Sequence, residues 1–312
     1  MLSGSLQTLT SLILPAFAFG DHEHPHLIHV HFPSLRALEV RGCNGKVQTW
    51  PTIGTRITNF IVSHDTIEEL CLTTPIQLDA AQLNANSLPR IRVFKGYLSV
   101  FNMMMLAQLT SLSTTLRDLA LTFRNPNDGE INRMLSIVRS SRCRATLVPS
   151  CLSMLQEIKF TTCSMWVPVL EQIIGGCAKL FGSTLNVLKV SMDQKHLQSG
   201  LVSKLALLFE PFEKLRIVSF TVTNGIVGFP EGLSSEERAQ NLRFALPFAW
   251  RLFQQCITLR EVRMKMSTLE HAWLVTRTPN RRSKHCPNDN CTGHLIYVPI
   301  RLLRTKGDTT DL

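Results

Sequence analysis

The feature that most constrains the fold is a short apolar phrase that returns along the whole chain. Its form is apolar, two residues of any type, apolar, one of any type, apolar, as in "LRALEV" at Leu35. It reads "LTSLIL" at Leu9, "IEELCL" at Ile67, "LRDLAL" at Leu116 and "LQEIKF" at Leu155. It continues as "LNVLKV" at Leu185, "LRIVSF" at Leu215 and "LREVRM" at Leu259, with a weaker copy, "IRVFKG", at Ile91. In the last four positions apolar residues alternate, so they share one face of a strand. The first apolar residue, three positions earlier, turns the chain into that strand. Neighbouring copies start 24 to 44 residues apart. That leaves room for the crossover that parallel strands require.

Several intervals carry helical signals. "DGEINRMLSIV" places Ile131, Met134, Leu135 and Val138 on one stripe, with Asp128 as the N-cap. "SMWVPVLEQII" puts Ser164 at a cap and Pro168 within the first turn, where proline is tolerated. "SGLVSKLALLF" continues the pattern. "SSEERAQNLRFALPFAWRLF" has Ser234 and Glu237 at capping-box spacing, and Pro247 is expected to kink it. Strand and helix alternating in this way predict an α/β leucine-rich-repeat solenoid, with a curved parallel sheet on the concave side and helices and loops outside. Residues 1–265 would hold about nine irregular repeats, and 266–312 a capping segment with a basic tail. The competing fold is a doubly wound α/β domain. It would need a phosphate-binding glycine loop, and "IIGGCAK" is only a glycine pair with no Lys-Ser/Thr after it.

The repeats are irregular and their strands terse. "FPSLRALEV", "HDTIEELCL", "LPRIRVFKG" and "FEKLRIVSF" resemble the leucine-rich regions of F-box proteins, particularly the large families of mushroom-forming fungi. The resemblance implies a non-enzymatic recognition scaffold: the part of an SCF-type ubiquitin ligase subunit that recruits the protein to be ubiquitinated. The F-box itself, which docks onto the ligase adaptor, is not recognisable here. Its Leu-Pro opening and following helix are missing, and the phrase has begun by Leu9. The adaptor is thus an expected partner only if an F-box lies upstream. The alternative is a repeat-only scaffold outside ubiquitination.

Alternation assigns the outward strand positions. The middle one runs Ile13, Glu39, Cys71, Lys95, Ala120, Lys159, Lys189, Ser219, Arg263. Glu157, Glu261 and Asp118 flank it on one side, with Glu69 at the same position. Lys265, Thr161 and Ser191 flank it on the other. Lys159 and Lys189 come from consecutive copies and are expected to be neighbours, an unfavourable pairing unless something neutralises them. Lys95, Lys159, Lys189, Arg263, Lys265, Glu69 and Glu157 are therefore the candidate partner-binding residues, for an acidic or phosphorylated protein segment. The alternative is that Lys159 pairs with Glu157 and the lysines splay into water.

Two clusters suggest metal. His22, His24, His26, His29 and His31 crowd one interval, but no carboxylate or thiolate is tied to them at fixed spacing, so a polar loop is expected. "HCPNDNCTGH" offers His285, Cys286, Cys291 and His294 as zinc ligands. Its "PNDN" is also strong turn chemistry before the strand-like "HLIYVPI", which favours a hairpin closing the repeat region. No metal or other cofactor is assigned. No catalytic motif is present; Asp193 and His196 lie close in sequence without a nucleophile.

The formal net charge is +10, and 260–312 carries ten Lys/Arg against five Asp/Glu. Arg277, Arg281, Arg282 and Lys284 raise the possibility of nucleic acid, but only Trp273 and Tyr297 could stack on bases there, so nucleic acid is not the expected partner. The start of the chain resembles a signal-peptide core without a preceding positive charge, and no apolar run approaches a membrane span. The nine cysteines are odd in number and scattered, which suits reduced thiols and a cytoplasmic or nuclear location.

Overall fold

The structure is a computed structural model that describes residues 3–20, 30–42, 51–74, 76–122, 129–143, 152, 154–161, 167–193, 202–223, 246–266, 269–276 and 294–299. The chain forms two compact units, Met1–Thr162 and Cys163–Leu312.

The first unit is a parallel sheet with helical crossovers. Its strands are β1 (Ser11–Pro15), β2 (Ala37–Arg41), β3 (Glu69–Leu72), β4 (Val93–Tyr97), β5 (Asp118–Thr122) and β6 (Glu157–Thr161). They pair side by side in chain order, every pair parallel. In the second unit β7 (Val187–Asp193), β8 (Ile217–Thr223) and β9 (Glu261–Met266) are parallel neighbours. There the direction reverses. β10 (Leu269–Thr276) runs antiparallel to β9 and to β11 (His294–Pro299). All nine copies of the apolar phrase thus end in parallel strands, and the antiparallel pair lies within 266–312. The strand expected from "HLIYVPI" is β11. The antiparallel partner that the expected hairpin requires is β10.

Register explains why the phrase has its form. Leu12, Leu38, Leu70, Phe94, Leu119 and Ile158 stand opposite one another rung by rung. In the second unit Leu188, Val218 and Val262 do the same. All but Leu12 are buried, as are the leading residues Leu35, Ile67, Ile91, Leu116, Leu155, Leu185, Leu215 and Leu259. A third row holds Val40, Leu72, Leu121 and Phe160 in one unit, and Val190, Phe220 and Met264 in the other. Each such side chain contributes about 1.5–3 kcal/mol on leaving water. A one-residue slip would turn the second and third rows outward, so the register is strongly specified.

The weak copy at Ile91 ends in Gly96 for a packing reason. Phe94 occupies a rung where both neighbours are leucine, Leu70 and Leu119. Its ring reaches so far that a Cβ on Gly96 would lie 2.9 Å from Phe94 Cζ and 3.3 Å from the Leu72 carbonyl oxygen. The large residue and the missing one compensate each other.

A row three positions before the leading residue is buried too. It holds Phe32, His64, Leu88, Leu152, Phe212 and Cys256. In five of these repeats the leading N–H bonds back to the carbonyl of this residue: Leu35, Ile67, Ile91, Leu155 and Leu259. Leu88 and Leu152 adopt left-handed φ of 51° and 61° to make that turn. The conformation costs about 1–3 kcal/mol, offset by two fully buried leucines.

The repeats are also joined through the main chain at the start of each strand. The Arg36 carbonyl accepts the N–H groups of Glu68 and Glu69, and the Glu68 carbonyl those of Arg92 and Val93. Arg92 receives Arg117 and Asp118; Arg117 receives Gln156 and Glu157. In the second unit Asn186 receives Arg216 and Ile217, and Arg216 receives Arg260 and Glu261. The acceptor is always the residue after the leading apolar one.

The helices begin in chain order with α1 (Ser3–Thr8), α2 (Pro51–Val62), α3 (Leu98–Leu106) and α4 (Ser111–Thr114), and the longer ones pack on the buried face. α5 (Glu130–Cys143) buries Ile131, Met134 and Leu135 of the expected stripe, with the Val138 side chain outside the described residues; α6 (Val167–Phe181) has Pro168 in its first turn, as expected, and buries Leu170, Ile173, Ile174 and Phe181. Asp128 and Ser164, the expected caps, lie outside the described residues. The helix Val202–Leu207 falls within "SGLVSKLALLF". The last expected helix is described only over 246–255, where Pro247 stands at the second described position; Ser234 and Glu237 lie outside the described residues. α2 (Pro51–Val62) and α3 (Leu98–Leu106) were not expected. α3 buries Leu98, Val100, Phe101, Asn102, Met104 and Met105, so it has almost no polar face to give it a period. α2 runs so close to the Gln77 carbonyl that Gly54 is the residue its path requires.

Candidate functional site

The side chains that alternate with the buried rows form ordered rows of their own. In the first unit the row nearest the strand starts is Ser11, Ala37, Glu69, Val93, Asp118, Glu157. The middle row is Ile13, Glu39, Cys71, Lys95, Ala120, Lys159. The far row includes Arg41, Tyr97, Thr122 and Thr161. Glu69, Asp118, Lys95 and Lys159 are exposed. The first row thus holds the carboxylates Glu69, Asp118 and Glu157, and the middle row holds Lys95 and Lys159 together with Glu39. Among the described residues Lys95 and Lys159 make no ion pair.

In the second unit Lys189, Ser219 and Arg263 form the middle row. Val187, Ile217 and Glu261 lie on one side, and Ser191, Thr221 and Lys265 on the other. Lys159 belongs to the last strand of the first unit and Lys189 to the first strand of the second. Lys265 lies in β9, and its side chain is outside the described residues.

A local device fixes two of the cations. Arg41 Nε donates to Glu39 Oε1 at 2.7 Å, two residues back on the same strand. Arg263 repeats this on Glu261, with Nε to Oε1 at 2.7 Å and Nη2 to Oε2 at 3.1 Å. A bidentate guanidinium–carboxylate pair is oriented and internally neutralised. Arg263 is therefore half of a dipole on the sheet face rather than a free docking charge. Glu39 raises the Arg41 guanidinium above its ordinary value, first by the hydrogen bond and then by charge.

Cys71 sits between Glu39 and Lys95 in the middle row. Burial pushes its thiol up, and Glu39 adds to this; Lys95 and Arg41 act the other way. A thiol held protonated is a poor nucleophile. Cys177, in α6, is pushed up to about 12 by burial.

His64, in the row of buried turn residues, has both ring nitrogens engaged. The Phe32 N–H donates to Nε2 at 3.0 Å, so the proton sits on Nδ1, which donates to the Phe60 carbonyl at 2.7 Å. Burial is the main force lowering its pKa; the Phe60 bond opposes this, and His31, stacked on it at 5.1 Å, adds to it. With no lone pair left over, His64 cannot serve as a metal ligand beside His31. His22, His24, His26 and His29 lie outside the described residues. So do His285, Cys286 and Cys291, while His294 opens β11 with its side chain undescribed. Among the described residues no three His, Cys, Asp or Glu side chains are placed to hold a metal ion. Among them, also, no helix is long and apolar enough to cross a membrane. Arg277, Arg281, Arg282 and Lys284 lie outside them, as does His196.

One row escaped the reading of the sequence, which treated the second position of the phrase as free. Five of its nine occupants are arginine: Arg36, Arg92, Arg117, Arg216 and Arg260. The carbonyls of the first four join successive repeats and Arg260 donates its N–H to the Arg216 carbonyl, so these side chains line the edge of each sheet where the strands begin. In the first unit Glu68 stands between Arg36 at 3.9 Å and Arg92 at 3.6 Å. The quoted strings "LRALEV", "IRVFKG", "LRDLAL", "LRIVSF" and "LREVRM" carried this signal, had composition been counted at every position.

No protein-family model matches the chain, and no curated protein sequence matches it.

Proposed function

We propose that the chain is a non-enzymatic protein-recognition scaffold of the leucine-rich-repeat class, serving as the substrate-binding part of an F-box-type ubiquitin ligase subunit in the cytoplasm or nucleus. The observation that carries this reading is the division of labour within each strand. Alternate residues build a ladder that is buried from β2 onward, while the others present charged and hydroxyl side chains among a few apolar ones. The outward face leaves Glu69, Lys95, Asp118 and Lys159 exposed, and an exposed charged sheet face is a natural docking surface for a protein segment. The thiol on that face is held in its unreactive form, which suits binding better than chemistry. The resemblance of "FPSLRALEV" and its companions to F-box repeat regions supplies the ligase assignment. The partner, on this reading, is a protein segment whose acidic or phosphorylated side chains meet Lys95 and Lys159.

The test is affinity capture with the full product of the gene, followed by mass spectrometry. The ligase adaptor and a substrate are expected together. Lys95→Glu with Lys159→Glu is expected to lose the substrate while keeping the adaptor and the thermal unfolding midpoint. Capture without adaptor would move the protein to a repeat scaffold outside ubiquitination. An unchanged substrate in the double variant would remove the outward face as its binding surface.

A further inference from the structure

The arginine row has a different setting in the second unit. A depression of about 640 Å³ opens at the strand starts there, lined by Asn186, Glu213, Lys214, Arg216, Ile257 and Arg260 among others. Three cations face one carboxylate. Among the described residues none of the three makes an ion pair. Arg216 and Arg260 are on adjacent rungs, since the Arg216 carbonyl accepts the Arg260 N–H at 2.9 Å. Adjacent strands lie about 4.8 Å apart, so two guanidinium groups leave the backbone side by side. Like charges so placed repel. In the first unit Glu68 relieves the same arrangement; here Asn186 holds the corresponding position and carries no charge. Beside them Ile257 is 73% exposed.

We infer that this edge of the second unit is a binding site for an acidic protein segment, in which carboxylates or phosphates straddle an apolar side chain. The anionic groups meet Lys214, Arg216 and Arg260, and the apolar one covers Ile257. A planar guanidinium pair favours the two-oxygen geometry of carboxylate and phosphate. Nucleic acid fits less well: none of the lining residues is aromatic, Glu213 faces the path of a phosphate backbone, and an exposed isoleucine offers nothing to a sugar. The site rests on the recognition reading above but lies on a different surface, at the strand starts rather than on the outward sheet face.

The probe is a fluorescein-labelled peptide, Glu-Glu-Leu-Glu-Glu, titrated with the purified chain by anisotropy, with the Lys-Lys-Leu-Lys-Lys peptide and a 20-nucleotide thymidine strand in parallel. The acidic peptide alone is expected to bind, weakening as salt shortens the screening length. Arg216→Glu with Arg260→Glu is expected to lower its affinity at least about tenfold without moving the unfolding midpoint. If that pair does not fold, Arg216→Gln with Arg260→Gln, which removes charge without reversing it, is expected to show a smaller loss in the same direction. The arginine substitutions are compared again in the Lys95→Glu, Lys159→Glu background, where an acidic peptide can no longer use the outward lysines; the remaining affinity is expected to fall there by the same factor. No remaining peptide binding in that background with the arginines intact would overturn the edge site while leaving the scaffold reading intact. Equal affinity in wild type and arginine variants, no binding of the acidic peptide, or tighter binding of the oligonucleotide at the same arginines would each overturn it too.

Discussion

Substituting Gly96 by alanine tests the packing logic of the ladder at its weakest copy. The added methyl would stand 2.9 Å from Phe94 Cζ and 3.3 Å from the Leu72 carbonyl oxygen. Carbon atoms in ordinary contact sit about 3.5–4.0 Å apart, so the ring must retreat by more than about half an ångström. Phe101, whose ring centre is 5.5 Å from that of Phe94, closes off part of the retreat. Overpacking of this kind costs about 1–3 kcal/mol. Replacing glycine by alanine within a strand returns about 0.5–1 kcal/mol. The net expectation is a loss centred on about 1 kcal/mol and reaching about 2.5 kcal/mol, at roughly 2–4 °C of unfolding midpoint per kcal/mol in a unit this size. Phe94→Leu restores the residue found on both neighbouring rungs and alone costs about 1–2 kcal/mol of buried area. In the double variant the space left by the ring admits the new methyl, so the two losses fall short of their sum by about 1 kcal/mol. Urea unfolding followed by circular dichroism on the four proteins measures this coupling. Additivity within about 0.5 kcal/mol, or a Gly96→Ala protein as stable as the parent, would falsify the compensation between ring and glycine.

Three other outcomes are expected. His64 is held neutral in the folded chain and its pKa lies below 6.5, so between that lowered value and 6.5 the unfolded chain binds more protons; stability is complete above about pH 6.5 and falls as pH drops through the window. His64→Gln should flatten that part of the stability–pH curve, and an unchanged slope would show that other groups produce it. Leu119→Ala, which empties one rung of the ladder, should cost about 2–5 kcal/mol in denaturant unfolding; a cost under 1 kcal/mol would mean the row is not a packed core. Cys177, buried with its thiol pushed up to about 12, should resist iodoacetamide at pH 8 until the protein is unfolded, as read by mass spectrometry of its peptide; rapid native alkylation would contradict its burial.

Much of the fold was legible because the ladder depends on side-chain alternation, which is written directly into the chain. Leu38, Leu119, Leu188 and Val218 stand in the rows their spacing implied. What was not legible lacks a periodic signature. α3 is apolar on nearly every side, and a helix with no wet face leaves no stripe. α2 buries Gly54 and Thr58 beside Ile57, Phe60 and Ile61, so its inner face includes a glycine and a hydroxyl that do not read as core of a helix. β10 pairs antiparallel after the phrase has faded, so its partner is set by chain reversal rather than by a repeat. For the candidate site, alternation identified the outward rows, but it could not show that Arg263 is occupied by Glu261. That depends on side-chain conformation along a strand. The edge arginines were missed for the opposite reason: their position was judged by what it leaves out of the core.

The joints between repeats are made of main-chain carbonyls and N–H groups, two donors to one acceptor at each strand start. Such a joint is blind to the side chain that happens to sit on it. Outward and edge positions can therefore be rewritten one at a time, lysine to glutamate or arginine to asparagine, with little effect on how successive repeats assemble. The architecture behaves like a rack with interchangeable faces: a lineage carrying it can acquire new targets by point substitution while the frame stays as it was.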